Sequence, residues 1–216
     1  MINIKRTYTP KELSKTNREF KAAIKDMSTK QAYDFYKANE NKFCYNTVET
    51  KRLFRKMNHE RCSFCTRLIQ EFNKEMTVEH IKIKRDYPQK IFQWSNLLCA
   101  CKTCNTQRGA RKYDARKYMD PTKIKDIEKY FLYKADGEIA VCANLDEDEK
   151  KKADYMIKLY SLNREELVCK RREFIRDLMS DDEFFEILKK KDESSQNIIF
   201  LSVFAYYKKQ EVASYN

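Results

Sequence analysis

Glycine and proline are scarce in this chain: 2 Gly and 3 Pro in 216 residues. So few glycines exclude a glycine-rich phosphate loop of the Rossmann or P-loop kind. They also leave few tight turns, which favours a mainly helical protein. Long hydrophobic runs are missing too. The most apolar stretch, IIFLSVFAYY at 198–207, is too short to span a bilayer. The opening MINIKRTYTPKEL has neither the apolar centre nor the small-residue cleavage site of a secretory signal. The expectation is a soluble, cytoplasmic protein. In that reducing compartment close cysteine pairs point to metal ahead of disulfides. Histidine is rarer still than proline, with His59 and His80 alone.

What is abundant is charge and aromatic bulk. Charged residues make up 36% of the chain, and 13 Phe with 14 Tyr supply core volume. The net charge of +12 is unevenly placed. Residues 51–118 carry 17 basic and 6 acidic groups, net +11, whereas residues 119–216 are net −3. A uniformly lysine-rich surface would not segregate in this way. A local excess marks a polyanion site, because neutralising phosphates releases condensed counterions.

Periodicity divides the chain into three. Residues 1–58 read as a helical N-terminal region, with Leu13, Phe20, Ile24 and Met27 near helical spacing and Ser28 or Thr29 as an N-cap. In residues 59–118 the pattern changes. RCSFC reads as a tight knuckle, MTVEHI as a strand, SNLLCAC as a second strand, and KTCNTQRGARKYDARKYM as a helix ending before Asp120-Pro121. Strand, loop, strand, helix is a ββα outline. Residues 119–216 are expected to be mostly helical. Asp136-Gly137 makes a hairpin near 131–141. Residues 150–180 look helical, with a capping-box-like start at Asn163 and Glu166 for a helix that buries Leu167, Phe174, Ile175 and Leu178. KKKDESSQN reads as a loop, and 197–209 as a final apolar helix.

Cys62, Cys65, Cys101 and Cys104 form two CxxC pairs. Each pair can turn two sulfurs toward one ion, and four thiolates complete a closed, structural zinc shell. Cys99 is an alternative to Cys101, although the CxxC spacing favours Cys101. The isolated Cys44, Cys142 and Cys169 read as small core residues, and His59 as structural.

His80 lies between the pairs, preceded by Glu79. Alone, it reads as a satisfied strand histidine. If zinc ties the knuckles together, the strand carrying His80 approaches the helix that starts near Asn105. His80 can then serve as a general base. Glu79 and Asn105 can hold Mg²⁺ or Mn²⁺, which keeps water and phosphate in its shell. Arg108, Lys112 and Arg116, at i, i+4 and i+8 with Arg111 beside them, would form a basic stripe for flanking phosphates. One geometric tension stands: adjacent strand residues face opposite ways, so Glu79 and His80 share a site only at a strand end or bulge.

Glu79-His80, Asn96 and Asn105, framed by the cysteine pairs, resemble the zinc-knuckled HNH endonucleases of the ββα-metal fold. The resemblance implies an α+β, mainly helical protein. Its central zinc-stapled ββα-metal core would carry helical N- and C-terminal extensions. It also implies His80 as general base, Glu79 and Asn105 as metal ligands, and Asn96 as the residue orienting the loop that bears His80. Glu79 stands where Asp or His is commoner. Gly109 stands where some members place a further histidine, which leaves two protein ligands and weak metal affinity. A wider stretch, including EHIKIKRDYPQKIFQWSNLLCACKTCNTQRG and IKLYSLNREELVCKRREF, is similar to the HNH subunit of Septu-type bacterial anti-phage systems, including retron-linked ones. That resemblance implies an ABC-type ATPase partner. DNA is the commoner substrate of such sites, and a structured RNA such as tRNA stays open. The competing readings are a non-catalytic zinc module that binds nucleic acid and a stand-alone restriction-type nuclease.

Overall fold

Local chemistry sets the first helices. Ser28 accepts a hydrogen bond from the Gln31 N–H, and the Gln31 side chain returns to the Ser28 N–H. This capping box satisfies two donors that a helix N-terminus otherwise leaves unpaired. It starts α2 (Thr29–Ala38) after α1 (Lys11–Ala23), and the Thr47 side chain caps α3 (Val48–Met57) by accepting from the Thr50 N–H. The computed structural model describes residues 1–69, 76–109, 111, 113–180, 182–190 and 200–214.

Strand β1 (Met76–His80) pairs antiparallel with β2 (Leu97–Cys101), in a register that sets Met76 opposite Cys101 and His80 opposite Leu97. Strand β2 runs directly into α4 (Lys102–Gly109), completing the ββα unit. Asp136-Gly137 turns the hairpin of β3 (Phe131–Tyr133) and β4 (Ile139–Val141). Gly137 is required there, since its φ is +90° and an added Cβ would lie 2.1 Å from the Val168 carbonyl oxygen. Helices α5 (Glu147–Leu159), α6 (Glu165–Ser180), α7 (Asp182–Lys189) and α8 (Leu201–Ser214) complete the order.

The N-terminal helices close on the loop between β1 and β2 through aromatic contacts. Phe20 meets Phe92 at 4.9 Å between ring centroids, and Phe54 stacks on Trp94 at 4.6 Å. The Arg6 guanidinium donates to the carbonyls of Trp94, Ser95 and Leu97. The extended N-terminus thereby grips the turn that holds Asn96.

Several expectations need correction. The helix after Cys104 stops at Gly109 and does not reach Met119. Glycine is a poor helix residue, the Arg111 N–H bonds back to the Arg108 carbonyl, and the chain is then drawn to α5, where the Asp114 N–H meets the Tyr155 hydroxyl at 2.7 Å. The helical stretch read over 150–180 is two helices, separated at Ser161 with φ 45°, and the second starts close to the expected Asn163. Asn163 does not cap α6. Its side-chain amide instead pairs with both the N–H and the carbonyl of Ile139 on β4. Arg171 joins the expected buried face of α6, where it donates to the Gly137 and Leu162 carbonyls. Cys44 is exposed, and Cys142 and Cys169 are only partly buried. The loop expected over 189–197 lies almost wholly outside the described residues. In α8, Ser202, Val203 and Phe204 are buried and Ser202 bonds to Thr66 and Tyr133, so this part packs in the core.

Candidate active site

The two knuckles meet. The Sγ atoms of Cys62, Cys65, Cys101 and Cys104 all lie within 4.8 Å of one another, and all four residues are buried. Those of Cys65 and Cys101 are 3.9 Å apart, close to the ~3.8 Å between two thiolates on one tetrahedral zinc. The first knuckle turns through Thr66 at φ 60°. It hooks onto β2 where the Ser63 N–H donates to the Cys99 carbonyl. Cys99 itself stays outside the cluster, so the choice falls on Cys101. Hydrogen bonds within the cluster hold the Cys65 and Cys101 thiols below the ordinary value, whereas burial holds Cys62, and hydrogen bonding with Cys101 holds Cys104, well above it.

A sequence reading missed what surrounds these sulfurs. Phe64, inside the first knuckle, stacks on Tyr160 at 3.7 Å. The Arg164 guanidinium reaches the Cys104 sulfur at 3.7 Å. Glu166, in the first turn of α6, pairs with Arg67 just after the first knuckle at 2.7 Å. The start of α6 therefore grips both knuckles. No spacing in the sequence signals this, because the partners lie between 60 and 99 residues apart.

Beside the cysteine cluster is a cavity of about 700 Å³. Glu79, His80 and Asn105 line it together. The strand tension is resolved as a strand end, since His80 is the last residue of β1. His80 is buried, and one ring nitrogen, Nε2, sits 3.0 Å from the Ile91 carbonyl oxygen. A carbonyl only accepts, so Nε2 carries the hydrogen and Nδ1 keeps its lone pair. Burial first, then the positive charge of Lys84, pushes the His80 pKa down to about 3 and keeps the ring neutral. The ring meets Tyr45 edge-to-face at 4.7 Å, and Lys84 donates to the Tyr45 hydroxyl at 3.3 Å. Tyr45 and Lys84 are wall residues that the motif spacing did not indicate.

Asn96 is buried and spans the loop that follows His80. Its Oδ1 accepts from the Lys82 N–H at 2.7 Å, and its Nδ2 donates to the carbonyls of Lys82 at 3.1 Å and Lys90 at 2.9 Å. Its backbone carbonyl accepts from the Ile81 N–H. Both ends of the loop are thus tied to one side chain.

The basic stripe does not form, because α4 ends at Gly109. Arg108 turns inward, buried, with its Nε 3.0 Å from Glu79 Oε1. Arg111 lines the cavity from an exposed position. Arg116 is exposed and borders a separate cavity of about 570 Å³. Lys112 lies outside the described residues. Glu79 therefore has a cation for a partner, which the reading of it as a plain metal ligand did not include. Burial pushes its carboxyl up to about 7, against the pull of Arg108 and Lys84. Glu79 Oε1 and Arg108 Nε lack a hydrogen-bond alignment despite their closeness, so this buried oxygen is left available. An available carboxylate oxygen with an amide nearby suits a hard divalent cation.

Residues 62–111 match the family model described as HNH endonuclease. A "Septu protein PtuB" of Bacillus thuringiensis is 35% identical over 66 residues, 31% of this chain and 26% of that protein. A second "Septu protein PtuB", from Bacillus mycoides strain KBAB4, is 23% identical over 210 residues, 82% of this chain and 68% of that protein. The first alignment spans about a quarter of its relative's length. Among the described residues, no helix is long and apolar enough to cross a membrane. The cysteine cluster and the ββα unit fall within the stretch, residues 62–111, that matches the HNH endonuclease family.

Proposed function

We propose that this protein is a metal-dependent endonuclease that hydrolyses phosphodiester bonds, with DNA as its first substrate, in bacterial anti-phage defence. The observation that carries the chemistry is the His80–Ile91 contact. It fixes the Nε2–H tautomer and leaves Nδ1 able to take a proton from an attacking water. A ring held near pKa 3 is a poor proton acceptor. A phosphate entering beside Lys84 and Arg108 adds negative charge and raises His80 basicity where it is needed. Glu79 and Asn105 would hold a divalent metal, whose chemistry is to neutralise charge on the phosphate and the departing oxygen. Lys84, Arg85 and Arg111 line the same cavity and suit the flanking phosphates. Asn96 holds the loop in register with His80. The four cysteines bind zinc as a structural centre.

The defence reading rests on the two relatives named Septu proteins. An ABC-type ATPase partner is the corresponding proposal, and it fits a chain with no glycine-rich nucleotide loop of its own. The test is cleavage of plasmid DNA and total tRNA with Mg²⁺ or Mn²⁺, by the intact chain and by His80→Ala, each with and without the neighbouring ATPase. Cleavage lost only in His80→Ala establishes the nuclease and names its substrate. If neither nucleic acid is cut and both proteins bind equally, a non-catalytic zinc module replaces this reading.

A further inference from the structure

Arg108 is held from three sides. Its Nε lies 3.0 Å from Glu79 Oε1, its Nη2 donates to the Ile81 carbonyl at 3.2 Å, and its guanidinium sits 5.2 Å from the centre of the Tyr113 ring. It is as buried as His80, so it is a fixed cation, unlike a mobile surface arginine.

Fixing it there changes what the Glu79–Asn105 site can bind. Glu79 supplies at most one negative charge, Arg108 cancels it, and Asn105 adds none. Of the charged side chains around the cavity, Lys84, Arg85, Arg108 and Arg111 oppose Glu79 and Asp86, four cations against two anions. A divalent ion entering alone would meet a site of net positive charge, in surroundings where low dielectric strengthens the repulsion. Cation sites gain affinity with the number of charged ligands, and here that number is effectively zero. A phosphodiester brings the missing negative charge and metal-binding oxygens at once.

We propose that Arg108 acts as a built-in counter-cation that keeps the Glu79–Asn105 site weak for free divalent ions until a nucleic-acid phosphate arrives, so that metal and substrate bind cooperatively. The proposal rests on the nuclease reading and adds an order to it: the metal is recruited with its substrate. Coupling between two ligands is reciprocal, so each must tighten the other by the same factor. The arrangement also limits exposure of the cell to a permanently metal-loaded nuclease.

The experiment measures Mn²⁺ binding by electron paramagnetic resonance to the full-length zinc-loaded chain in the His80→Ala background, where substrate survives. Binding is read with and without a short DNA duplex, or a tRNA if tRNA is the substrate cleaved, after subtraction of ions held by nucleic acid alone. Nucleic-acid affinity is read with and without Mn²⁺ by fluorescence anisotropy. The expected result is Mn²⁺ affinity raised about tenfold or more by nucleic acid, within the usual range of coupling, with the reciprocal gain in anisotropy. Arg108→Gln should bind Mn²⁺ more tightly without nucleic acid and lose most of the coupling. Arg108→Lys, which keeps the charge, should retain it, and thermal melting checks that both variants fold. Equal Mn²⁺ affinity with and without nucleic acid would overturn the coupling while leaving a metal-dependent nuclease intact. Failure to bind Mn²⁺ in either arm would overturn both.

Discussion

Replacing Asn96 with alanine isolates the positioning of the loop after His80 from the chemistry proposed for it. The side chain makes three hydrogen bonds, between 2.7 and 3.1 Å, to the backbone of Lys82 and Lys90. Each intramolecular hydrogen bond contributes about 1 kcal/mol net, and more where its partner is left buried and unpaired. Lys82 and Lys90 are partly exposed, so water can reach some of the freed groups. Asn96→Ala should therefore cost roughly 2–4 kcal/mol in urea or guanidinium unfolding. The loop beginning at Ile81 would loosen with it, and the Ile91 carbonyl that fixes the His80 ring lies on that loop. Misplacing a catalytic group by about 1 Å costs on the order of 100-fold in rate, so cleavage should fall by about that factor while zinc content is unchanged. Asn96→Asp is the sharper control. It keeps the acceptor for the Lys82 N–H and turns a second oxygen onto the Lys82 and Lys90 carbonyls, so it should be no better than alanine. A variant within about 0.5 kcal/mol of the parent, the range of an ordinary surface substitution, and of full activity would refute the role given to Asn96.

Other perturbations separate the remaining parts. Cys62→Ser should lose zinc and a large part of the ~10 kcal/mol that a structural zinc can contribute, seen as a fallen zinc-to-protein ratio and a lower melting temperature. Arg164→Met should speed zinc release to a chelator about tenfold, because outer-sphere partners of metal ligands carry 10–100-fold in affinity, and Arg164→Lys should recover part of it. Gly137→Ala forces a Cβ against the Val168 carbonyl at 2.1 Å and the Arg172 nitrogen at 2.8 Å. Left-handed strain and overpacking together should cost roughly 2–4 kcal/mol in denaturant unfolding, with no direct effect on the zinc cluster.

What the sequence determined by itself was whatever local spacing encodes. Two CxxC pairs specify a common ion, β-branched and apolar runs specify β1 and β2, and Ser28 or Thr29 marks a helix start. Each depends on residues a few positions apart, so a reading along the chain finds it. The nearness of His80, Glu79 and Asn105 followed once the zinc was inferred, because the knuckles join the ends of the ββα unit. The tertiary structure alone decided the partners of these groups. Arg108 looked like the first member of a surface stripe, and burial against Glu79 and Tyr113 made it a fixed internal cation. Asn163 looked like a helix cap, and the open backbone of β4 drew its amide away. Tyr45, Lys84 and Arg164 carried no motif, yet they touch or charge the site from distant elements. Such contacts arise when helices bury their apolar faces, and the desolvated charges then pair with whatever lies within reach. Spacing in the sequence does not record that proximity.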